Sequence, residues 1–123
     1  MSAVLIARRL ATERLIGENP VSIVIRREEF VPAATGGRVA QSTTLPSFQG
    51  RIVPTKRQLA TRQDEAGRLR LSHWTLIAPW SADIRAETDT FTALGRNFRV
   101  TGVIQRRLAG EIYTVHASLE EVS

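Results

Sequence analysis

The spacing of hydrophobic positions changes once along the chain, close to Pro20. Before Pro20 the apolar residues recur at helical intervals, and one stripe is formed by Val4, Ala7, Ala11 and Leu15. Ser2 can cap the first turn, and Gly17 can take the left-handed position after the last turn. The pattern therefore predicts a helix over residues 2–16, with a turn up to residue 19.

This helix has more apolar residues than one buried face needs. Leu5, Ile6 and Ile16 lie outside the stripe. The excess predicts a helix that buries two faces, and one of those faces could belong to a neighbouring subunit.

After Pro20 the pattern becomes that of β-strands. The strand candidates are Val21–Ile25, Arg38–Leu45, Arg51–Val53, Leu71–Ala78, Ile84–Thr92, Phe98–Ile104 and Ile112–Leu119. About six or seven short strands, with turn signals roughly every 8–12 residues, are typical of a small antiparallel barrel or sandwich. We expect a mainly β fold with an N-terminal helix and long loops. The length of 123 residues predicts a single domain, 1–123, with the β part spanning 20–123.

One long stretch, residues 55–68, lacks the alternation of a strand. Its basic residues are Lys56, Arg57, Arg62 and Arg68. Connections in compact domains have a median length of about 4–6 residues, so a longer irregular one predicts a mobile functional loop. A helical turn around Gln58–Arg62 is the alternative.

Composition excludes some classes of function without naming one. The absence of cysteine excludes a disulfide framework, a zinc–thiolate site and a cysteine nucleophile. Apolar runs are short, so we expect no membrane span and a protein made inside the cell. The net charge is +5, and all but one of the seventeen basic residues are arginine. Arginine suits phosphate and carboxylate partners, although a GC-rich genome would produce the same preference.

The sequence contains no recognisable catalytic or cofactor motif. The nucleophile elbow, the phosphate-binding loop and the dinucleotide fingerprint are all absent. His73 and His116 lie on different predicted strands, without a carboxylate at ligand spacing. We therefore predict no catalytic residue, no metal ligand, no cofactor and no enzymatic activity.

Three carboxylates, Asp83, Glu87 and Asp89, would share a face if Ile84–Thr92 were an extended strand. Such a row could bind a divalent cation or carry out acid–base chemistry. A solvated strand edge or a subunit contact explains the row without either, and is the favoured interpretation.

The order of elements from about Phe48 to Val122 resembles that of a known family. The motifs are Phe-x-Gly-Arg-Ile at Phe48–Ile52, a strand ending at Pro79, the pair Asp83-Ile84 before Asp89, the turn and strand Gly95-Arg96-x-Phe98-x-Val100, and a last strand running to Val122. In these features the chain resembles the head-closure or head–tail connector proteins of tailed bacteriophages, also called stopper or head-completion proteins. It departs from them at Glu87–Thr90, where many relatives have a glycine or similar turn residue after the aspartate.

This resemblance implies a structural protein of the virion neck, assembled in the host cytoplasm. Its subunits would form a ring, dodecameric in the family, beneath the portal or adaptor protein. The ring would close the DNA-filled capsid and dock a tail terminator or tail tube protein. Double-stranded DNA would pass through the lumen without sequence-specific contacts. Another phage ring component, such as a tail terminator, and an OB-like nucleic-acid-binding module are the alternatives; the arginines and the two tryptophans favour the latter.

A ring repeats one heterologous contact, so each subunit needs two unlike, complementary faces. The residues expected to supply contact charges are Arg26, Arg27, Asp83, Glu87, Asp89, Arg106 and Arg107. For the loop that faces the lumen or the neighbouring ring, the first choice is residues 55–68, with Lys56, Arg57, Arg62 and Arg68. The second choice is Val31–Phe48.

Overall fold

The computed structural model describes residues 2–55, 62–63, 69–70 and 73–122, with only the backbone for residues 62, 63, 69 and 70. One helix, α1 (Ala3–Glu18), precedes all the strands. The strands are β1 (Val21–Ile23), β2 (Arg26–Pro32), β3 (Arg38–Thr44), β4 (Phe48–Pro54), β5 (Arg62–Gln63), β6 (Leu69–Arg70), β7 (His73–Pro79), β8 (Asp89–Ala93), β9 (Arg96–Leu108) and β10 (Glu111–Val122). The prediction of a mainly β fold with an N-terminal helix is confirmed.

Helix α1 begins where its sequence predicts and ends slightly later. The Ser2 hydroxyl accepts a hydrogen bond from the Leu5 N–H at 3.1 Å, as expected of a capping residue. Gly17 lies inside the helix, and Asn19 ends it by donating its N–H to the Ile16 carbonyl at 3.1 Å. The prediction that Gly17 terminates the helix is therefore wrong.

The face that α1 buries also differs from the predicted one. Leu5, Thr12 and Ile16 are buried, whereas the predicted stripe is exposed. The buried residues follow helical spacing together with Arg9, which lies between them on the same face. This face contains one hydroxyl and one charged side chain, so a search for apolar periodicity overlooks it.

In the described part of the chain, eight strands form one antiparallel sheet in the order β1-β4-β7-β10-β9-β8-β2-β3, and β5 pairs with β6 in a separate two-stranded sheet. The strand number is higher than predicted, partly because the charged residues Arg26–Glu29 were interpreted as the end of a strand. They begin β2 instead. The Leu45 N–H donates to the Ile25 carbonyl at 2.9 Å, which ties the end of β3 to the chain between β1 and β2.

Two hairpins reverse in two-residue turns that require positive φ. Leu94 and Gly95 join β8 to β9 with φ of 53° and 70°, and Ala109 and Gly110 join β9 to β10 with φ of 51° and 82°. Consecutive positive φ values match the right-handed twist of the flanking strands. The predicted turn at Arg106–Gly110 is thus shorter than expected, because β9 continues to Leu108.

The core is filled by alternate residues of the strands. Phe98 is at its centre, with the Phe91 ring 5.4 Å away and the Trp74 ring edge-on at 6.1 Å. The other fully or nearly fully buried residues of this cluster include Ile23, Ile25, Ile52, Leu76, Ala78, Val100, Val115, Ala117 and Leu119. In the described part of the chain, no helix is both long and apolar enough to cross a membrane.

Candidate functional site

The hairpin of β2 and β3, residues 26–44, is the most exposed part of the sheet, and we call it the arm. Its strands pair with each other over seven residues, but β2 pairs with β8 only through Arg26↔Thr90 and Arg27↔Asp89. Every residue of β3 is exposed. The arm is therefore attached to the rest of the sheet at its base alone.

A buried ion pair lies at that base. Arg27 donates from Nε to Asp89 Oδ1 at 2.8 Å and from Nη2 to Asp89 Oδ2 at 2.9 Å. The Asp89 side chain is completely buried, and that of Arg27 is 5% exposed. Two parallel charge-assisted bonds fix both the distance and the plane of the guanidinium. The two residues are direct partners in the register of β2 and β8, so the ion pair locks that short ladder.

A second carboxylate, Asp83, completes what we call the arm junction: Arg27, Asp83 and Asp89. Arg27 donates to Asp83 from Nη1 at 3.1 Å and from Nη2 at 3.2 Å. The Asp83 side chain is 65% exposed and thus forms the outer wall of the junction. The bonds from Arg27, assisted by the charges of Arg27 and Arg85, hold the pKa of Asp83 below its ordinary value.

The remaining bonds of Asp89 order the chain just before β8. Its Oδ2 accepts from the Arg85 N–H at 2.7 Å, and its Oδ1 accepts from the Thr88 hydroxyl at 3.1 Å. Glu87 adopts φ of 72° and donates its N–H to the Val100 carbonyl at 2.8 Å. The Thr88 carbonyl then accepts from the Glu28 N–H of the arm at 3.0 Å. The arm, the chain before β8 and the core strand β9 are therefore joined through one network.

The arm junction has the chemistry of a structural anchor. Hydrogen bonds to Asp89 and Asp83 raise the pKa of Arg27, and Asp83 has a lowered pKa, so Arg27 and Asp83 are charged at neutral pH. General acid–base catalysis requires a group that titrates near the working pH, which this arrangement opposes. Among the described residues, no group of three or more His, Asp or Glu side chains could hold a metal ion. The arrangement fixes the direction in which the arm leaves the sheet.

Helix α1 is fastened to the sheet by a residue that sequence reasoning missed. Arg9 donates from Nε and Nη2 to the Ile112 carbonyl at 3.0 and 2.9 Å, and its guanidinium lies 3.9 Å from the centre of the Trp80 ring. An ion pair with Glu111 at 3.6 Å adds to these contacts. In the sequence, the role of Arg9 is indicated only by its spacing, since it lies four positions after the buried Leu5 and therefore on the same face of the helix.

With α1 held in this way, four of its aliphatic side chains remain exposed. They are exposed by 39–57% and comprise Val4, Ile6, Leu10 and Leu15. One chain thus buries one face of α1, and the burial of a second face, for example against a neighbouring subunit, stays a prediction. Ile6 and Leu10 lie on one flank of the helix, and Val4 and Leu15 lie on the other.

The chain can be compared with protein-family models, curated proteins and solved structures. No protein-family model matches the chain, and no curated protein does. A chain from the solved structure titled "Virion of native gene transfer agent (GTA) particle" is similar. The identity is 20%, the TM-score is 0.46, and the similarity covers 82% of this chain and 93% of that one.

The structure separates the residues expected to supply contact charges. Arg27 and Asp89 are buried and bind each other, so the expectation that they meet another subunit needs correction: a side chain sealed inside one chain cannot reach a neighbour. Asp83 binds Arg27, and the expected row with Glu87 is absent because the strand begins only at Asp89.

The other predicted contact charges lie at two separate places. Arg26 and Glu87 are exposed near the base of the arm, whereas Arg106 and Arg107 are exposed near the end of β9. Arg107 donates to the Gly110 carbonyl and to the Gln105 side chain, within its own hairpin. A role of these four residues between subunits remains a prediction.

The basic loop expected at 55–68 falls mostly outside the described residues. Lys56, Arg57 and Arg68 lie there, and Arg62 is described only as backbone that pairs with Arg70. Most of the second choice, Val31–Phe48, belongs to the arm, whose strands pair in register, so it is a hairpin and not an irregular loop. That it faces the lumen or the neighbouring ring stays a prediction.

The two histidines do not form a site together. They lie on neighbouring strands, where His73 is opposite Glu120 and His116 is opposite Ile77. Burial, helped by the positive charge of Arg106, lowers the pKa of His116. A neutral, partly buried imidazole is consistent with a His116 that packs within the sheet as a structural residue.

Proposed function

We propose that this chain is a structural protein of a phage-like virion and forms a ring at the head–tail interface. There it closes the DNA-filled capsid and connects the portal or adaptor protein to a tail terminator or tail tube protein. The observation that supports this most is the presence of two unlike exposed surfaces, the arm and the Ile6–Leu10 side of α1. A heterologous contact between unlike surfaces produces a ring when its rotation closes.

The placement of the family motifs also supports the proposal. Phe48–Ile52 lies in β4, β7 ends at Pro79, and the Gly95-Arg96 turn leads into β9. The last strand, β10, runs to Val122. Four of the five motifs that carry the resemblance thus lie in strands or turns, whereas Asp83-Ile84 lies in the irregular chain before β8.

The distribution of charged side chains favours a protein that lines a DNA channel over a nucleic-acid-binding module. Arg96 and Arg99 pair with Glu121 and Glu120 at 2.9 Å, so two of the exposed arginines of the sheet are already engaged. Trp74 packs against the core at Phe98 and is not a free stacking platform. DNA that slides through a lumen needs few, salt-sensitive phosphate contacts, and the OB-like module would need stronger ones.

The proposal is tested by measuring the mass of the assembled protein and imaging it. Purified chain, alone and mixed with a portal complex, is examined by native mass spectrometry and negative-stain electron microscopy. We expect closed rings of a single copy number, twelve if the family resemblance holds, that attach to the portal end.

A matched DNA titration separates the alternatives. A monomer that binds double- or single-stranded DNA tightly with a steep salt dependence, and forms no rings, would support the nucleic-acid-binding module instead. Rings that attach to a tail tube and not to a portal would support the tail terminator.

A further inference from the structure

We propose that the arm of one copy docks, through Phe30, on the Ile6–Leu10 side of α1 of a second copy. This inference rests on the proposed function, since it names the contact that the ring repeats.

The arm needs a surface to pack against. Phe30 is 68% exposed at the middle of β2, and its direct partner on β3 is Ala40, which is too small to cover the ring. A two-stranded hairpin is only marginally stable in water by itself, and exposed aromatic surface is costly to hydrate. The contacts of the arm with the rest of the chain, made by Arg27, Glu28 and Glu29, leave Phe30 uncovered and available to a docking partner.

The Ile6–Leu10 side of α1 is a suitable receiver. The two side chains are one helical turn apart, so they lie next to each other, and each is 45% exposed. The helix behind them is held rigidly by Arg9 through its bonds to Ile112. A pre-ordered surface loses little conformational freedom when an aromatic anchor packs on it.

The charges around the two surfaces are complementary. On the arm, Glu28 shares the face of Phe30 two residues away, and Arg38 lies diagonally across on β3. On α1, Glu13 and Arg14 lie on either side of the Ile6–Leu10 stripe. An acid and a base thus border each apolar patch, and two opposite-charge pairs can form when the patches meet.

The contact joins different parts of two copies. Within one chain, α1 packs on β4, β7 and β10, whereas the arm joins the sheet through β8. Every copy would use its arm once as donor and its helix once as receiver. Such a contact is heterologous and continues from copy to copy until the ring closes.

The absence of native cysteine makes a cross-linking test clean. The variant Phe30→Cys/Leu10→Cys is oxidised at concentrations where the wild-type protein assembles, and is run without reductant. We expect a ladder of covalent multimers that collapses to monomer on reduction. The matched control, Phe30→Cys/Leu15→Cys, places the second thiol on the opposite flank of α1 and should give at least tenfold less product, since a disulfide needs its two Cα atoms within about 7 Å.

A second variant tests the anchor itself. Phe30→Ser should abolish assembly and keep the circular dichroism spectrum of the wild type, because Phe30 is outside the core. At concentrations where the wild type is monomeric, the two proteins should also share a melting temperature. Rings that persist in Phe30→Ser, or a Phe30→Cys single variant that forms dimers efficiently, would overturn the docking and leave the ring proposal intact. Wild-type protein that never forms rings, alone or with a portal, would overturn both.

Discussion

Substitution of Asp89 by asparagine tests whether the arm junction stabilises the fold. Asparagine has the same shape but no charge, so Arg27 would remain buried with only the exposed Asp83 as a charged partner. Removing one member of a buried ion pair costs about 3–5 kcal/mol, and the remaining bonds to Asp83 place the expected loss near the lower end, about 3 kcal/mol. For a domain of this size, that lowers the melting temperature by about 10 °C.

The matched control is Asp83→Asn, which removes a carboxylate from the same arginine at an exposed position. Exposed ion pairs contribute about 0–1 kcal/mol, so this variant should melt close to the wild type. Urea denaturation followed by tryptophan fluorescence measures both variants. Equal losses in the two, or a loss below about 1 kcal/mol for Asp89→Asn, would show that burial does not set the strength of this junction.

Three smaller predictions follow from individual positions. Leu94→Asn should stabilise the protein by about 1 kcal/mol, because asparagine tolerates the positive φ of that turn better; an unchanged urea midpoint would contradict this. Gly50→Ala should destabilise it by about 1–3 kcal/mol, since a Cβ there would lie 2.7 Å from Leu76 Cδ1 and 3.2 Å from the Ile77 carbonyl; a wild-type melting temperature would refute that packing. The pKa of Asp83 is 3.8 in the unfolded chain and lower in the folded state, so its ion pair with Arg27 stabilises the fold at pH 7. This contribution should decrease once the pH falls below 3.8 and disappear as the pH passes through the lower pKa of the folded state. Comparing urea midpoints of wild type and Asp83→Asn from neutral to acidic pH checks this, and a difference that grows on acidification would reverse the sign.

The features that the sequence predicts well are those decided locally. The alternation in Val21–Ile25 and His73–Pro79 gives strands because a sheet with one buried face requires period two. Ser2 gives the start of α1 because its hydroxyl satisfies an otherwise unpaired N–H.

The features that the sequence does not predict depend on partners that are far apart along the chain. Arg27 and Asp89 are 62 residues apart, and nothing in their spacing shows that β2 and β8 bring them together. The cluster of charges from Arg26 to Glu29 suggested the end of a strand, since such residues are usually solvated. One of them is buried by its partner, which turns an apparent terminus into the start of the arm.

The helix shows the same limit. Its buried face includes Arg9 and Thr12, which apolar periodicity treats as outward-facing. The Ile112 carbonyl, the Trp80 ring and the Glu111 carboxylate, all provided by later parts of the chain, make burial of that guanidinium favourable.

Because the arm pairs with the rest of the sheet only at its base, the residues that choose an assembly partner are separate from those that stabilise the fold. The outer residues of the arm, from Glu28 to Ser42, lie beyond the last pair with β8 and add nothing to the cluster around Phe98. Their identities can therefore change to suit a different neighbour while the rest of the sheet folds as before. A subunit built in this way can acquire new assembly preferences by altering a short hairpin, at little cost to the solubility or folding of the rest.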